Sequence, residues 1–376
     1  MEKRYDFVIV GAGFAGASCA RLLTNKGYKC LIIEERPFVS GNCIDIKQNN
    51  INIHCLGPHI IHTNDEEVWQ FLNSNGEIRK FYPNGKTYYD GKLISFPPNL
   101  QTVYDIHGDI FVDEAIKYID KCKVKHETIS NIEEYCLSNF GQDIYEQLFA
   151  NFIKKMFNKD PKELSLDNFE YKELLRKEYN SKLYSEKYQG IPASGYKEYI
   201  EGMIGEDIDI LLNTSFHKDK EKFISLAKYV IYTGEIDKFF NYCLGSLEWV
   251  SVNFDLEDCS EKTTNMLGMP ILNFSCKTTN WYRITEHKWL DPDNAKHIDN
   301  TIITTEYFVD WNKGMESYYP ILTTKSLMTY ERYVKKLNAL YPNVLLCGRK
   351  ASYNFAHIAD VVRQAIDLTD KFEDKI

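Results

Sequence analysis

Tyr5-Asp6-Phe7-Val8-Ile9-Val10-Gly11-Ala12-Gly13-Phe14-Ala15-Gly16-Ala17 decides the fold. Phe7 to Val10 is an apolar run suited to a strand buried on both faces. Gly11, Gly13 and Gly16 follow it as G-x-G-x-x-G, and Ala17 to Leu23 reads as a helix of small and apolar residues. Each glycine has its own physical reason. Gly11 turns the chain, Gly13 lets a pyrophosphate approach bare backbone, and Gly16 lets helix and strand pack closely. The helix start offers free N–H groups and the positive end of its dipole to phosphate. After Gly27, Cys30-Leu31-Ile32-Ile33 reads as a second parallel strand ending in Glu34. That acid stands about twenty residues past the glycines, where it can bind a ribose hydroxyl. The alternative is a glycine turn that binds nothing. Strand, turn, helix, strand and acid all argue against it.

The chain has 376 residues, enough for two or three cores. Its net charge of −9 leaves no basic footprint for nucleic acid. The Lys121 to Lys125 run has acids nearby and reads as a solvated helix face. Ten cysteines are scattered without a C-x-x-C pair, so no metal site is expected. Cys19, Cys30 and Cys347 lie in apolar segments and read as small core residues. No secretory leader is expected, because the first strand begins so early. No apolar run is long enough to span a membrane. A reduced, cytoplasmic, soluble protein is the expectation.

The glycine motif alone does not choose between nicotinamide and flavin. Glu34-Glu35-Arg36-Pro37-Phe38-Val39-Ser40-Gly41-Asn42 helps. Flavoproteins of the amine-oxidase-like group carry an acid, a basic residue and a Gly-Gly pair here. Ser40-Gly41 is a partial match, and a long second section follows it, as in flavin folds. Next comes Ile53-His54-Cys55-Leu56-Gly57-Pro58-His59-Ile60-Ile61-His62-Thr63. Gly57-Pro58 forces a turn. His59 and His62 alone could be a metal pair, a core pair or an acid/base pair. A histidine near a flavin ring could donate hydrogen bonds and tune its charge.

Six stretches, GAGFAGA, GPHIIHT, YQGIP, YRITEHK, YYP and GRKASY, occur in that order. The chain thereby resembles the UDP-galactopyranose mutases, whose pattern reads roughly GAGFSGA, GPHIFHT, FQGMP, TRITEHK, YYP and GRLGTY. The resemblance runs from Val8 to about Ile366. It implies an α/β protein with a discontinuous Rossmann-like FAD-binding domain, an inserted helical domain and an antiparallel β-sheet domain. The expected boundaries are 1–75, 196–240 and 325–376 for the FAD-binding part. The helical substrate-cleft domain takes 100–182, and the sheet domain takes 76–99, 183–195 and 241–324. The residues support this division. Lys86 to Phe96 alternates around Asp90-Gly91 as a hairpin that Pro97-Pro98 ends. Asp113 to Leu175 shows helical spacing. Tyr229 to Gly234, Leu247 to Phe254, Ile271 to Cys276, Thr301 to Thr305 and Val344 to Gly348 read as strands. A helix is expected over Ala359 to Thr369.

The resemblance also implies a chemistry. Reduced FAD attacks the anomeric carbon of a nucleotide-diphosphate sugar through N5, and the ring recloses as furanose or pyranose. NAD(P)H or another reductant supplies the electrons, and the furanose serves surface polysaccharide synthesis. Such a mechanism asks little acid–base work of the protein. By resemblance the catalytic group is Arg176, Arg349, His62 and Arg283, with Arg176 and Arg349 holding the diphosphate and Arg283 at the flavin and substrate end of the cleft. Arg176 by itself reads more readily as a surface residue paired with an acid, and the resemblance reverses that. The cofactor group is Gly11, Gly13, Phe14, Ala15, Gly16, Glu34, Glu35, Arg36, Gly41, Asn42, His59, His62, Gly348 and Arg349. The substrate group is Phe149, Phe152, Phe157, Arg176, Tyr184, Arg283, Tyr318, Tyr319, Arg349, Phe355 and His357. Glu286 and His287 alternate on a strand and so face opposite sides, which argues against a catalytic dyad and for a structural role for one of them.

Departures from the family pattern stand out. Phe355 and His357 replace a Tyr and an Asp, and Phe157 replaces a Trp before Pro161-Lys162-Glu163-Leu164. A lost or gained polar contact can change substrate choice by orders of magnitude. A deoxy, amino or heptose sugar is therefore expected, on UDP first, with dTDP, CDP or GDP as alternatives. The family is often dimeric, so a homodimer is expected. Two rival readings stay open: an amine-oxidase-like flavin oxidoreductase, and a catalytically silent nucleotide-sugar-binding homologue.

Overall fold

The computed structural model describes residues 4–169 and 175–375. A five-stranded parallel sheet carries the strands Asp209–Leu211, Cys30–Ile33, Tyr5–Val10, Ala227–Tyr232 and Val344–Leu346, in that spatial order. Val8 stands opposite both Leu31 and Val230. Strands covered on both faces must be apolar throughout; Phe7, Val8 and Ile9 are fully buried. Gly11 breaks the strand, and helix Phe14–Asn25 returns along the sheet. Its small face of Ala17, Cys19, Ala20 and Leu23 is buried, with helix Ile358–Thr369 packed alongside. The five strands come from three separated parts of the sequence, so the chain leaves this sheet twice.

The first excursion builds a cover of helices Leu100–His107, Val112–Cys122, Ile132–Phe140 and Asn151–Phe157, with a π-helical turn at Tyr145–Ala150. The helical pattern read as far as Leu175 includes 170–174, which lie outside the described residues. The second contributes most of a seven-stranded sheet. Its order is Tyr319–Pro320, Trp249–Asp258, Ile302–Asp310, Arg283–Glu286, Ile271–Phe274, Gly85–Tyr89 and Lys92–Phe96. The expected all-antiparallel sheet needs one correction: Ile271–Phe274 pairs parallel with Gly85–Tyr89. Between these two strands the chain runs through the helical cover and back through the parallel sheet, so the antiparallel constraint of a tight turn is absent. The hairpin at 85–96 forms as read, with Asp90 and Gly91 both at positive φ.

Smaller sheets tie the parts together. Ile61–Thr63, Tyr188–Pro192 and Ile78–Lys80 form one, with His62 opposite Gln189. Asp45–Gln48 and Ile51–His54 form a hairpin about Asn49-Asn50, both at positive φ. All ten cysteines are free thiols, and Cys19, Cys30 and Cys347 are buried as expected. Among the described residues no helix is long and apolar enough to cross a membrane. Nor does any group of three or more His, Cys, Asp or Glu among them stand ready to hold a metal ion.

Candidate active site

The glycine turn forms one wall of a cavity of about 440 Å³. Gly11 has φ +102, and a Cβ there would stand 2.3 Å from the Thr233 hydroxyl. The Gly13 and Gly41 backbones touch; a Cβ on Gly41 would lie 3.1 Å from Gly13 Cα. Gly16 packs under the turn, where a Cβ would lie 1.9 Å from the Gly11 carbonyl oxygen. Gly348, with φ +95, abuts Ala15. Backbone replaces side chain on several sides of one point, at the start of helix Phe14–Asn25. This is the chemistry of a diphosphate cradle. Glu34 accepts hydrogen bonds from the Ala12 and Arg36 amides, both at 2.8 Å, and its carboxylate lines the cavity. The donors and acid suit a dinucleotide.

Most of the expected cofactor group lines this cavity: Gly11, Gly13, Phe14, Ala15, Glu34, Glu35, Arg36, Gly41, Asn42, His59, Gly348 and Arg349. Gly16 does not line it and acts through packing. His59 bonds through Nε2 to the Asn42 carbonyl at 2.7 Å, and its amide donates to His54 Nδ1. Burial carries its pKa down to about 4, so the ring is neutral at physiological pH.

His62 lies behind that wall. Its Nδ1 is 2.9 Å from Glu186 Oε1. Its ring stacks on Tyr184 at 3.9 Å and meets His357 edge-on at 4.7 Å. Gln189 donates to the Tyr184 and Glu186 carbonyls and so fixes the loop that grips His62. His62 Nε2 is buried with no hydrogen-bond partner among the described residues. An orphaned ring nitrogen beside the cavity suits a bound group with hydrogen-bonding atoms. Burial would raise the Glu186 carboxyl, but the hydrogen bond and charge of His62 carry it below its ordinary value.

The other expected site residues divide. Arg349 opens the short helix Arg349–Ser352, donates Nε to the Ala356 carbonyl at 2.8 Å and lines the cavity. Its guanidinium lies over the rings of Tyr319 and Phe355, which stack on each other at 4.5 Å. Phe355 thus backs the arginine, as a ring without a hydroxyl can. His357 lines the cavity and stands at the start of helix Ile358–Thr369, its amide donating to Asp360 Oδ2 at 2.8 Å. Arg176 hangs on the edge of the sheet: its amide donates to the Pro98 carbonyl, and its guanidinium reaches the Lys182 carbonyl.

Several expectations change. Phe149, Phe152 and Phe157, expected in the substrate group, are at most 2% exposed and offer no surface to a ligand. They are core residues of the helical cover, with Phe149 against Phe96 and Phe140 and Phe152 stacked on Tyr282. Tyr318 lines the cavity, but its hydroxyl donates to the Leu56 carbonyl, so it is not aimed at a phosphate. Arg283 makes a two-point ion pair with fully buried Glu306, at 2.8 and 2.7 Å, which neutralises it. The strand ends at Glu286, and His287 begins a turn, so alternation does not govern the pair. Both are structural: Glu286 caps the amides of Met266, Leu267 and Gly268, and His287 bonds Thr304.

Sequence reasoning missed Glu235, Lys238, Glu316 and Lys350, which also line the cavity. Only Lys350 left a signal, as Lys within GRKASY where the family pattern has Leu.

A parallel sheet with a glycine cradle, covered by inserted helical and sheet layers, defines a Rossmann-type dinucleotide-binding protein. The comparisons agree. Residues 9–74 match a family model for the NAD(P)-binding Rossmann-like domain, and residues 147–355 match the model for UDP-galactopyranose mutase. Among curated proteins, the chain is 28% identical to a dTDP-fucopyranose mutase of Escherichia coli, over 97% of both chains. It is 29% identical to a "Probable UDP-galactopyranose mutase" of Klebsiella pneumoniae, over 98% of this chain and 94% of that one. Among solved structures, reduced UDP-galactopyranose mutase superposes with a TM-score of 0.76 at 15% identity, over 97% of this chain and 95% of that one. This chain belongs to the UDP-galactopyranose mutase family, a family of isomerases.

Proposed function

We propose that this chain is a flavin-dependent mutase that interconverts the pyranose and furanose forms of a nucleotide-diphosphate sugar. The supporting observation is one continuous cavity that joins the glycine cradle to Arg349 and His357. When bound and reduced, FAD supplies a nucleophilic ring nitrogen for the anomeric carbon; NAD(P)H or another reductant supplies its electrons. The chain's own residues do the rest. The Gly11–Gly16 turn and Glu34 hold the cofactor's diphosphate and ribose. His62, clamped by Glu186 and Tyr184, holds its bare Nε2 for a cofactor hydrogen bond. Arg349, supported by Tyr319 and Phe355, binds the departing diphosphate of the sugar nucleotide, with Arg176 reaching in from the sheet edge.

His357 takes the place of a family carboxylate and presents an aromatic ring edge to the sugar. We propose a UDP- or dTDP-linked sugar altered at a hydroxyl, and a furanose product that feeds surface polysaccharide. Phe355 supports Arg349 instead of crippling it, which favours an active enzyme over a silent homologue. The test is to incubate dithionite-reduced holoprotein with a panel of UDP- and dTDP-hexoses and separate products by chromatography. A furanose formed by reduced but not oxidised protein supports the proposal. Net reduction of flavin by substrate would overturn it in favour of an oxidoreductase.

A further inference from the structure

Beside the glycine cradle lies an arc of charge. Glu316 Oε2 is 2.7 Å from Arg36 Nη2, and Glu316 Oε1 accepts from Asn42 Nδ2 at 2.9 Å and from the Lys350 ammonium. Lys350 also reaches Glu235 Oε1 at 3.4 Å. These five residues all line the cavity. They come from four distant segments, and three of these flank the cradle. Asn42 follows Gly41, Lys350 stands two places past Gly348, and Glu235 two past Thr233, whose hydroxyl backs Gly11. Glu316 arrives on the loop between Trp311 and Tyr318, from the sheet layer. The side chain of Lys350 is 24% exposed, towards the open cavity.

We infer that Lys350 is a cofactor-site residue of this chain, whose ammonium cancels Glu316 and Glu235 so that a dinucleotide diphosphate can settle beside them. Two cations, Arg36 and Lys350, face two carboxylates. Without Lys350 the arc carries a net negative charge next to a doubly anionic ligand. The side chains are too enclosed for salt to screen them fully, so the repulsion falls on cofactor affinity. The carboxylates are firmly ionised. Burial would raise Glu235, yet Lys350 first, with Lys238 and hydrogen bonds adding to it, carries it down to about 2. Burial would likewise raise Glu316, yet Lys350 and Arg36 hold it below its usual range. Leucine at this position, as in the family pattern, would leave that charge unbalanced here.

The inference rests on the dinucleotide reading of the cradle, and the experiment separates the two. Apoprotein is titrated with FAD and followed by quenching of flavin fluorescence, at low and at high salt. Lys350→Met is expected to weaken FAD binding about tenfold at low salt, less at high salt, with Lys350→Arg near the parent. The double variant Lys350→Met, Glu316→Gln removes a matching charge and is expected to regain most of the loss. A merely structural role would make it worse. Lys350→Met binding within about twofold of the parent overturns the inference, as does a double variant weaker than the single one. A parent that itself fails to bind FAD overturns both the inference and the cofactor reading beneath it.

Discussion

His59, His217 and His287 are kept neutral by the fold. Burial carries His59 to about 4, against the pull of the Asn42 carbonyl. Burial, with Lys238 adding to it, carries His217 to about 4, and burial carries His287 to about 3. In the unfolded chain the same imidazoles take up protons near pH 6.5. As pH falls from about 6.5 towards 4, the unfolded state therefore gains protons that the fold refuses, and stability is lost. Asp237 acts oppositely. Burial raises it to about 6, so the fold binds its proton first on acidification and gains stability. Three losses outweigh one gain. The urea midpoint of the apoprotein is expected to be clearly lower near pH 5 than near pH 7, each unit of pH removing on the order of 1.4 kcal/mol per neutral-held histidine at most. An equal or higher midpoint at the lower pH would mean that these rings protonate freely in the fold.

Two helices show what a glycine is for. Gly16 lies in helix Phe14–Asn25, where an added Cβ meets the Gly11 carbonyl at 1.9 Å. That oxygen is backbone of the cradle and cannot swing aside. Gly202 lies in helix Tyr196–Ile204, where an added Cβ meets nothing within 4 Å. Gly16→Ala is expected to cost about 1–3 kcal/mol and to leave the purified protein depleted of flavin colour. Gly202→Ala is expected to stabilise by roughly 0.4–1 kcal/mol with flavin content unchanged. Denaturant melts and the flavin-to-protein absorbance ratio decide both. The contrast also marks what was legible in the sequence. Strand, glycine turn and helix at 5–25 are local, and each residue choice there has one conformational reading. The 85–96 hairpin is legible for the same reason, through Asp90-Gly91. The 45–54 hairpin went unread although Asn49-Asn50 is a turn signal, because its strands alternate weakly and Asp45 is buried. Asp45 caps a helix far away in sequence, accepting from the Tyr196 and Lys197 amides. The parallel pairing of 85–89 with 271–274 depends on a long crossover, which no local pattern encodes.

At the scale of the molecule, the site is made by segments that meet only after folding. Arg349 follows the last strand of the parallel sheet, whereas Arg176 stands at the edge of the other sheet and leans on Pro98. Family motifs made both arginines visible. They could not reveal the Glu306 that neutralises Arg283, or the burial of Phe149, Phe152 and Phe157. Partners and exposure are properties of packing, not of a motif. The same logic gives a test of whether the two layers grip one ligand. If Arg176 and Arg349 hold the same diphosphate, each loses its purpose when the other is gone. Arg176→Ala and Arg349→Ala are each expected to lower kcat/KM on the order of a hundredfold, with flavin content measured separately because Arg349 lines the cofactor cavity. The double variant should lose much less than the product of the two, since the second removal acts on a diphosphate already half released. Strict multiplicativity would mean that the arginines serve different groups, and an Arg176→Ala enzyme as fast as the parent would mean that the diphosphate is held without it.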